Sequence, residues 1–324
     1  MLAGSGLLAN PVLRVAFRRL VLAIPLLFVV SALSFLLVSL TPGDAARQIL
    51  GTNPPPGAYP KLRHALGLDL PIQEQYWRWL THAVRGDLGD SLITSEGVTH
   101  SIDARVPVTL SLMLCALLVT LVVGVLLGLL SAVRGGVAGR LIDGLALVGF
   151  ALPSFWIGAV LIAMFSVRLR WFPVVGYVSF SQSPGSWLRS LALPVLALAL
   201  HAVAAVAKQT REAVLDVLSS EFIRMARANG ISSASIVFRH TLKNAGIRIV
   251  TVVGLLAVSL LGGTVLVESL FALPGMGGLA VNAALQHDLP VVQGIVVYFT
   301  LMVVVINLVI DLTYSWLNPR VRTA

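Results

Sequence analysis

VTLSLMLCALLVTLVVGVLLGLLSAV, residues 108–133, contains no charged side chain. At about 1.5 Å rise per residue, such a run crosses about 30 Å of hydrocarbon as a helix. Five more apolar runs of comparable length lie at 20–40, 145–167, 187–207, 247–272 and 291–313. The chain is 57% hydrophobic and 11% charged, with a mean hydropathy of +0.92, and one soluble core cannot bury that much apolar surface. The fold class is all-α integral membrane, with six transmembrane helices.

A net charge of +9 suggests nucleic acid as a partner until the cations are placed. Arg14, Arg18 and Arg19 precede the first run, Arg134 and Arg140 follow the second, and Arg320 and Arg322 follow the last. Between the fourth and fifth runs come Lys208, Arg211, Arg224, Arg227, Arg239, Lys243 and Arg248, whereas residues 273–290 hold no Lys or Arg. This is the positive-inside pattern of a membrane protein with both termini and the 208–248 loop in the cytoplasm, and it leaves no role for nucleic acid. Arg168, Arg170 and Arg189 fall on the other side, against the rule. So does the long 41–104 loop, in which acidic residues outnumber Lys and Arg.

The N-terminal run is too long for the h-region of a cleaved signal peptide, and no clear small-x-small site follows it. Cys115 is the only cysteine, which excludes an intrachain disulfide and a Cys-based metal cluster.

Three regions are expected. Residues 1–104 hold the N-terminal segment, the first span and a mixed extracytoplasmic loop. Residues 105–317 form a five-helix membrane domain with the cytoplasmic loop 208–248, and residues 318–324 are a cytoplasmic tail. The first span ends at LTPGD (40–44). Beyond it Pro71 opens a helix on which Ile72, Tyr76, Trp79, Leu80 and Ala83 share one apolar face, and Gly86 and Gly89 end it. That face either packs on the membrane domain or docks a soluble partner through Tyr76, Trp79 and Leu80. Gly124 and Gly128 permit close helix approach, and Pro153 and Gly262–Gly263 can bend their helices. Asp143, Glu268 and Asp311 lie near span ends, where snorkelling or pairing lowers their cost. His201 and Asn307 read as interhelical hydrogen-bonding groups.

EFIRMARANGISSASIVFRHTLKNA, residues 221–245, interrupts the apolar pattern. Ser219 or Ser220 can cap a short helix with Glu221 near its N-terminal dipole. Phe222, Met225, Ala226 and Asn229 then share one side, and Arg224 and Arg227 project on another. Asn229–Gly230 ends the helix, and Ser232 or Ser233 restarts one that runs into the fifth span. The segment is either a basic loop at lipid headgroups or a small rigid knob that fits another protein.

These residues resemble the cytoplasmic coupling loop of ATP-binding-cassette (ABC) importer permeases, in which EAA, three residues and G precede I-x-LP. Gly230, Ala226 and Leu242 match the pattern, whereas Arg224, Met225 and Lys243 depart from it. The dipeptide and oligopeptide branch is closer, and the departures are usual there. LGLDLPIQEQYWRWL (66–80), GDLGDS (86–91), LPSFWIG (152–158), WFPVVGY (171–177), VESLFALPGMG (267–277), DLPVVQG (288–294) and NPRVR (318–322) extend the likeness over nearly the whole chain. Asn318, where many members have Asp, departs slightly.

The resemblance implies the type I importer permease architecture and a prokaryotic cytoplasmic membrane. It implies a transport subunit moving di- or oligopeptides, with ATPase coupling through residues 221–236, among them Glu221, Phe222, Arg224, Met225, Ala226, Arg227 and Gly230. The implied partners are a second permease, two ABC ATPase subunits and an extracytoplasmic peptide-binding protein. No cofactor or metal is implied in this chain, with ATP and Mg bound by the ATPases. The residues agree: Lys61, Lys208 and Lys243 are its only lysines, and none follows the glycine that a phosphate-cradling G-K-[ST] loop needs. Nickel or nickel-chelate import shares most of these motifs. A stand-alone secondary transporter would need an inverted repeat or a buried ionisable pathway, and a membrane enzyme a catalytic constellation; the sequence offers neither.

Overall fold

The computed structural model describes residues 11–43, 45–51 and 53–317, and among these it is helical, with one isolated β-bridge between Asp90 and Gly97. The expected tail 318–324 and Asp44 of LTPGD lie outside the described residues. The chain runs through α1 (Pro11–Leu40), the short helices α2 (Ala45–Leu50), α3 (Ala58–Ala65), α4 (Ile72–Ala83) and α5 (Val98–Asp103), and then α6 (Val106–Arg134). It continues with α7 (Gly136–Ala151), α8 (Ser154–Leu161), a π-helical segment Ile162–Arg168, α9 (Pro184–Leu218), α10 (Glu221–Ala228) and α11 (Ser233–Ser235). A second π-helical segment, Ile236–Thr241, leads into α12 (Leu242–Leu270), followed by α13 (Met276–Leu285) and α14 (Leu289–Leu317).

Among the described residues five helices are long and apolar enough to cross a membrane: Ala16–Leu40, Val98–Arg134, Pro184–Leu218, Ser233–Leu270 and Leu289–Tyr314. The expected third span, 145–167, is divided instead between α7 and α8. Pro153 is the reason: its ring disfavours helical geometry in the residue before it, and Leu152 is extended at φ −91°, ψ 127°. α12 runs without interruption through Gly262 and Gly263.

Two compact units emerge. The first comprises residues up to Arg18, Leu110–Ala272 and Val305 onward. It is organised on α9, which packs against α7, α8 and α12 and buries Ala197, Ala199, Ala202, Ala204 and Ala207. Small side chains let backbones approach, which matters where lipid tails remove the hydrophobic drive between helices. The GxxxG pair on α6 serves the same contact. A Cβ on Gly124 would lie 2.8 Å from Val206 Cβ, and one on Gly128 would lie 2.6 Å from Thr210 Cβ. Gly158 of LPSFWIG meets Leu270 and Phe271 of VESLFALPGMG in the same way. Asp143 pairs with Arg211 on α9 at 3.4 Å, as its place near a span end required. Glu268 does not snorkel; it is fully buried within α12.

The second unit comprises Arg19–Thr109 and Leu273–Val304. In it the GDLGDS and DLPVVQG stretches interlock. Gly86 and Gly89 take left-handed φ of 87° and 82°, and Asp87 Oδ1 accepts from Gly89 N at 2.9 Å, so the chain turns sharply and drops Leu88 into the core. Ser91 Oγ donates to Asp288 Oδ2 at 2.5 Å, and Leu92 N donates to Asp288 Oδ1 at 3.1 Å. Asp288 is buried, so these two donors answer the cost of burying its charge. Gly294 lies where a Cβ would come 2.9 Å from Ile102. Between them, Gln293 is fully buried and reaches α1; with its amide assigned the orientation that satisfies both atoms, it donates to Ser31 O at 3.2 Å and accepts from Phe35 N at 2.8 Å.

Gly128→Leu is expected to destabilise the protein by about 1–3 kcal/mol through overpacking. Gly144→Ala, whose new Cβ would meet nothing within 4 Å, is expected to be neutral or to gain up to about 1 kcal/mol of helix propensity. Thermal unfolding in detergent reads both, and equal melting temperatures for Gly128→Leu and wild type would refute the close α6–α9 contact. Asp288→Ala is expected to cost about 1–3 kcal/mol for each donor it strands. Limited proteolysis should show faster cleavage within residues 85–97, and an unchanged digestion pattern would contradict the interlock.

Candidate functional site

The polar segment between α9 and α12 folds as a separate short helix with well-defined ends. α9 stops as Ser219 N and Ser220 N bond back to Leu215 O and Val217 O. Ser220 takes the N-cap position of α10 in extended geometry, ψ 154°, although its hydroxyl donates back to Val217 O at 2.5 Å rather than capping α10. At the other end Ile231 N bonds to Ala226 O at 3.1 Å and Gly230 N bonds to Arg227 O at 3.0 Å. That pair is a Schellman termination, and its left-handed residue is Gly230 at φ 74°; Asn229 remains at φ −80°. Ser232 caps the restart, its Oγ accepting from Ser235 N at 3.4 Å.

Ile223 anchors α10 at 0% exposure. The side expected to share Phe222 and Met225 faces outward, with the two residues 47% and 69% exposed. Glu221, Arg224, Arg227 and Gly230 are exposed as well, and Ala226 is half-buried. The helix thus presents an apolar tip bordered by guanidinium groups, an arrangement suited to a protein groove rather than to bulk water. It rests against the Ile236–Thr241 segment.

Beneath the loop the helix ends form a stem. Leu129 and Ala132 of α6, Ala213 and Val214 of α9, and Ala245 and Ile249 of α12 make one buried cluster. Arg248 of α12 forms an ion pair with Asp216 of α9. α10 is thus held between two long helices whose ends pack together and share an ion pair.

Sequence reasoning missed Ile223, which periodicity within an eight-residue helix cannot single out. The signal was present all the same, as a β-branched apolar residue beside four outward-facing neighbours.

The other candidate surface, on α4, is placed differently. Tyr76 is 8% exposed; its hydroxyl lies 3.0 Å from Ser31 Oγ, and its ring packs edge-on against Phe28 and Phe35 of α1. Trp79 packs on the core around Leu88, Val98 and Ile102, and Leu80 is half-buried. Tyr76 and Trp79 hold α4 in place, and the side that faces outward carries Trp77 and an Arg78–Glu74 ion pair of 2.7 Å.

Comparison with known proteins bears on the family and the fold. Residues 12–113 match the N-terminal model, and residues 124–323 the main model, of the family described as binding-protein-dependent transport system inner membrane component. A Brucella abortus (strain 2308) protein named for peptide transport is 42% identical over 94% of this chain and 98% of its own length. The di/tripeptide transport system permease protein DppB of Pseudomonas aeruginosa (strain UCBPP-PA14) is 38% identical over 94% of this chain and 97% of its own. The glutathione transport system permease protein GsiC of Escherichia coli O6:H1 is 38% identical over 96% and 99%. In fold, the chain is similar to a solved chain of the inward-facing MetNI methionine ABC transporter. The TM-score is 0.54 at 17% identity, covering 65% of this chain and 93% of that one. Long apolar helices, a clamped stem bearing a short outward-facing helix, and family models that together span most of the sequence lead to one assignment: the chain belongs to the inner membrane components of binding-protein-dependent transport systems, multi-pass permeases of the bacterial membrane.

Proposed function

We propose that this chain forms half of the path of an ATP-driven importer of di- or oligopeptides, beside a second permease, and that two ATPase subunits act on it through α10. The observation that carries the reading is α10 itself, with Ile223 inward, Phe222 and Met225 outward, and a stem of α9 and α12 behind it. On this reading the chain crosses six times, with α7 and α8 together making the third crossing, and the placement of its Lys and Arg puts both termini and α10 on the cytoplasmic side. ATP and Mg belong to the ATPases, whose closure pushes residues 221–236. A small helix rigidly joined to two long ones transmits such a push because packed helices move as bodies. Relatives named for peptide and glutathione transport favour a peptide cargo over nickel. A peptide-binding protein delivers that cargo to the outer side, where residues 66–91 form its dock.

Met225→Glu places a charge on an exposed residue and so leaves membrane insertion intact. In proteoliposomes with all subunits it is expected to lower ATP-driven peptide uptake at least about tenfold, the usual size of an interface hot-spot loss. Uptake at the wild-type rate would overturn the coupling role. Ile223→Ala is expected to loosen the anchor by about 2–5 kcal/mol. Hydrogen exchange would then rise across residues 221–230 and stay unchanged in α9. For the dock, exchanging Glu74 and Arg78 (E74R/R78E) preserves their ion pair while reversing the surface pattern. Weaker association of the binding protein is expected, and equal affinity would leave α4 with a packing role alone.

A further inference from the structure

Arg168, Arg170 and Arg189 stand against the positive-inside pattern, and nothing at α10 accounts for them. All three are exposed, and among the described residues none of them enters an ion pair or a side-chain hydrogen bond. No carboxylate is near in sequence either: residues 144–211 contain no Asp or Glu.

Helix geometry gathers the three at one end of the first unit. A Cβ on Gly149 would lie 3.4 Å from Ala204 Cβ, and one on Gly158 would lie 3.5 Å from Ala197 Cβ, so the chain through α7 and α8 runs antiparallel to α9. From Gly158 on to Arg168, and from Ala197 back to Arg189, are similar lengths of helix, which brings both arginines to about the same height. Arg189 lies in the first turns of α9, and α10 follows its last, roughly 40 Å away at about 1.5 Å per residue. With α10 in the cytoplasm, the arginine end is extracytoplasmic.

The surface there is held in one shape. Leu169 N bonds to Met164 O at 3.0 Å, Trp171 N bonds to Phe165 O at 2.9 Å, and Ser166 Oγ donates to Pro173 O at 3.3 Å. The rings of Phe165 and Trp171 lie 5.8 Å apart, and Phe180 packs edge-on against Trp187 at 5.2 Å. Arg170 sits at φ 55°, a left-handed geometry uncommon for arginine. On this scaffold Trp171, Val175 and Phe180 are 63%, 60% and 60% exposed.

Composition and depth choose the occupant. Residues 162–190 hold three Arg, two Trp, one Tyr and three Phe, and no Lys, Asp or Glu. Protein interfaces are enriched in arginine and aromatic residues and depleted in lysine and the acids, whereas lipid headgroups are met as well by lysine. Residues 168–186 also lie beyond the ends of both flanking apolar runs, 145–167 and 187–207, so acyl chains do not reach Trp171, Val175 and Phe180. Exposed apolar groups at that level mark a protein contact.

We propose that Arg168, Arg170 and Arg189, with Trp171, Val175 and Phe180 beside them, form a docking surface for an acidic face of the extracytoplasmic binding protein. The surface presupposes the importer reading and gives it an electrostatic contact separate from α4. Guanidinium groups take carboxylates through two parallel hydrogen bonds, and complementary charge raises the rate of encounter.

The test uses the complete transporter in nanodiscs and the binding protein of the same system, with association followed by biolayer interferometry at about 50 mM and about 300 mM salt. Wild type is expected to associate about tenfold more slowly at the higher salt. Arg168→Gln with Arg170→Gln and Arg189→Gln should bind about tenfold more weakly at low salt and lose most of that salt dependence. Val175→Asp keeps every arginine and puts the partner's sign of charge on the surface, so it decides the matter if the triple variant does not assemble; about fivefold weaker binding is expected. Wild-type affinity in either variant would overturn the surface. If the triple variant binds the protein normally and instead retains less phosphatidylglycerol in native mass spectrometry, the arginines serve lipid and the dock is again overturned. A wild-type transporter that binds no such protein would overturn the importer reading itself, which is a different failure.

Discussion

Close approach of α9 to its neighbours is the constraint on which the first unit depends. Lipid tails are as apolar as leucine, so helices in a bilayer gain little by hiding apolar surface from one another and must gain by contact. The alanines of α9 supply that contact from one side, and Gly124, Gly128, Gly158 and Gly263 from the others. Gly263, read from sequence as a place where the helix can bend, lies where a Cβ would come 2.9 Å from Leu198. It marks a close contact with α9.

Much of the fold was legible because its signals were local. A mostly apolar run of the right length specifies a span without reference to any neighbour, and α6, α9, α12 and α14 fall where such runs lie. The C-terminal end of α10 was legible for the same reason, since Gly230 acts on its own backbone, whereas the hydroxyls of Ser219 and Ser220, read as caps of α10, bond back into α9 instead. The meaning of the shared stretches was not legible. GDLGDS and DLPVVQG stand about two hundred residues apart in sequence, and only the fold shows Asp288 answering Ser91 and Leu92. Tyr76 illustrates the limit on amphipathic faces: spacing put it on an apolar side of α4, yet nothing in the spacing said that the side was already taken by α1.

The site combines two kinds of order. α10 is an exposed tip whose position depends on one buried isoleucine, while its stem is fixed by packing from three helices and by an ion pair.

The division of residues 145–167 at Leu152–Pro153 has a consequence for what surrounds it. Pro153 has no N–H to offer, and the extended Leu152 takes the chain out of helical register, so carbonyl groups in the last turn of α7 lose their downstream donors. In hydrocarbon such groups find no replacement, and backbone of this kind persists only against protein or water. An apolar stretch that reads as lipid-facing in composition thus carries, at its middle, a small polar locus that lipid cannot solvate. That locus fixes which way the α7–α8 junction has to be turned.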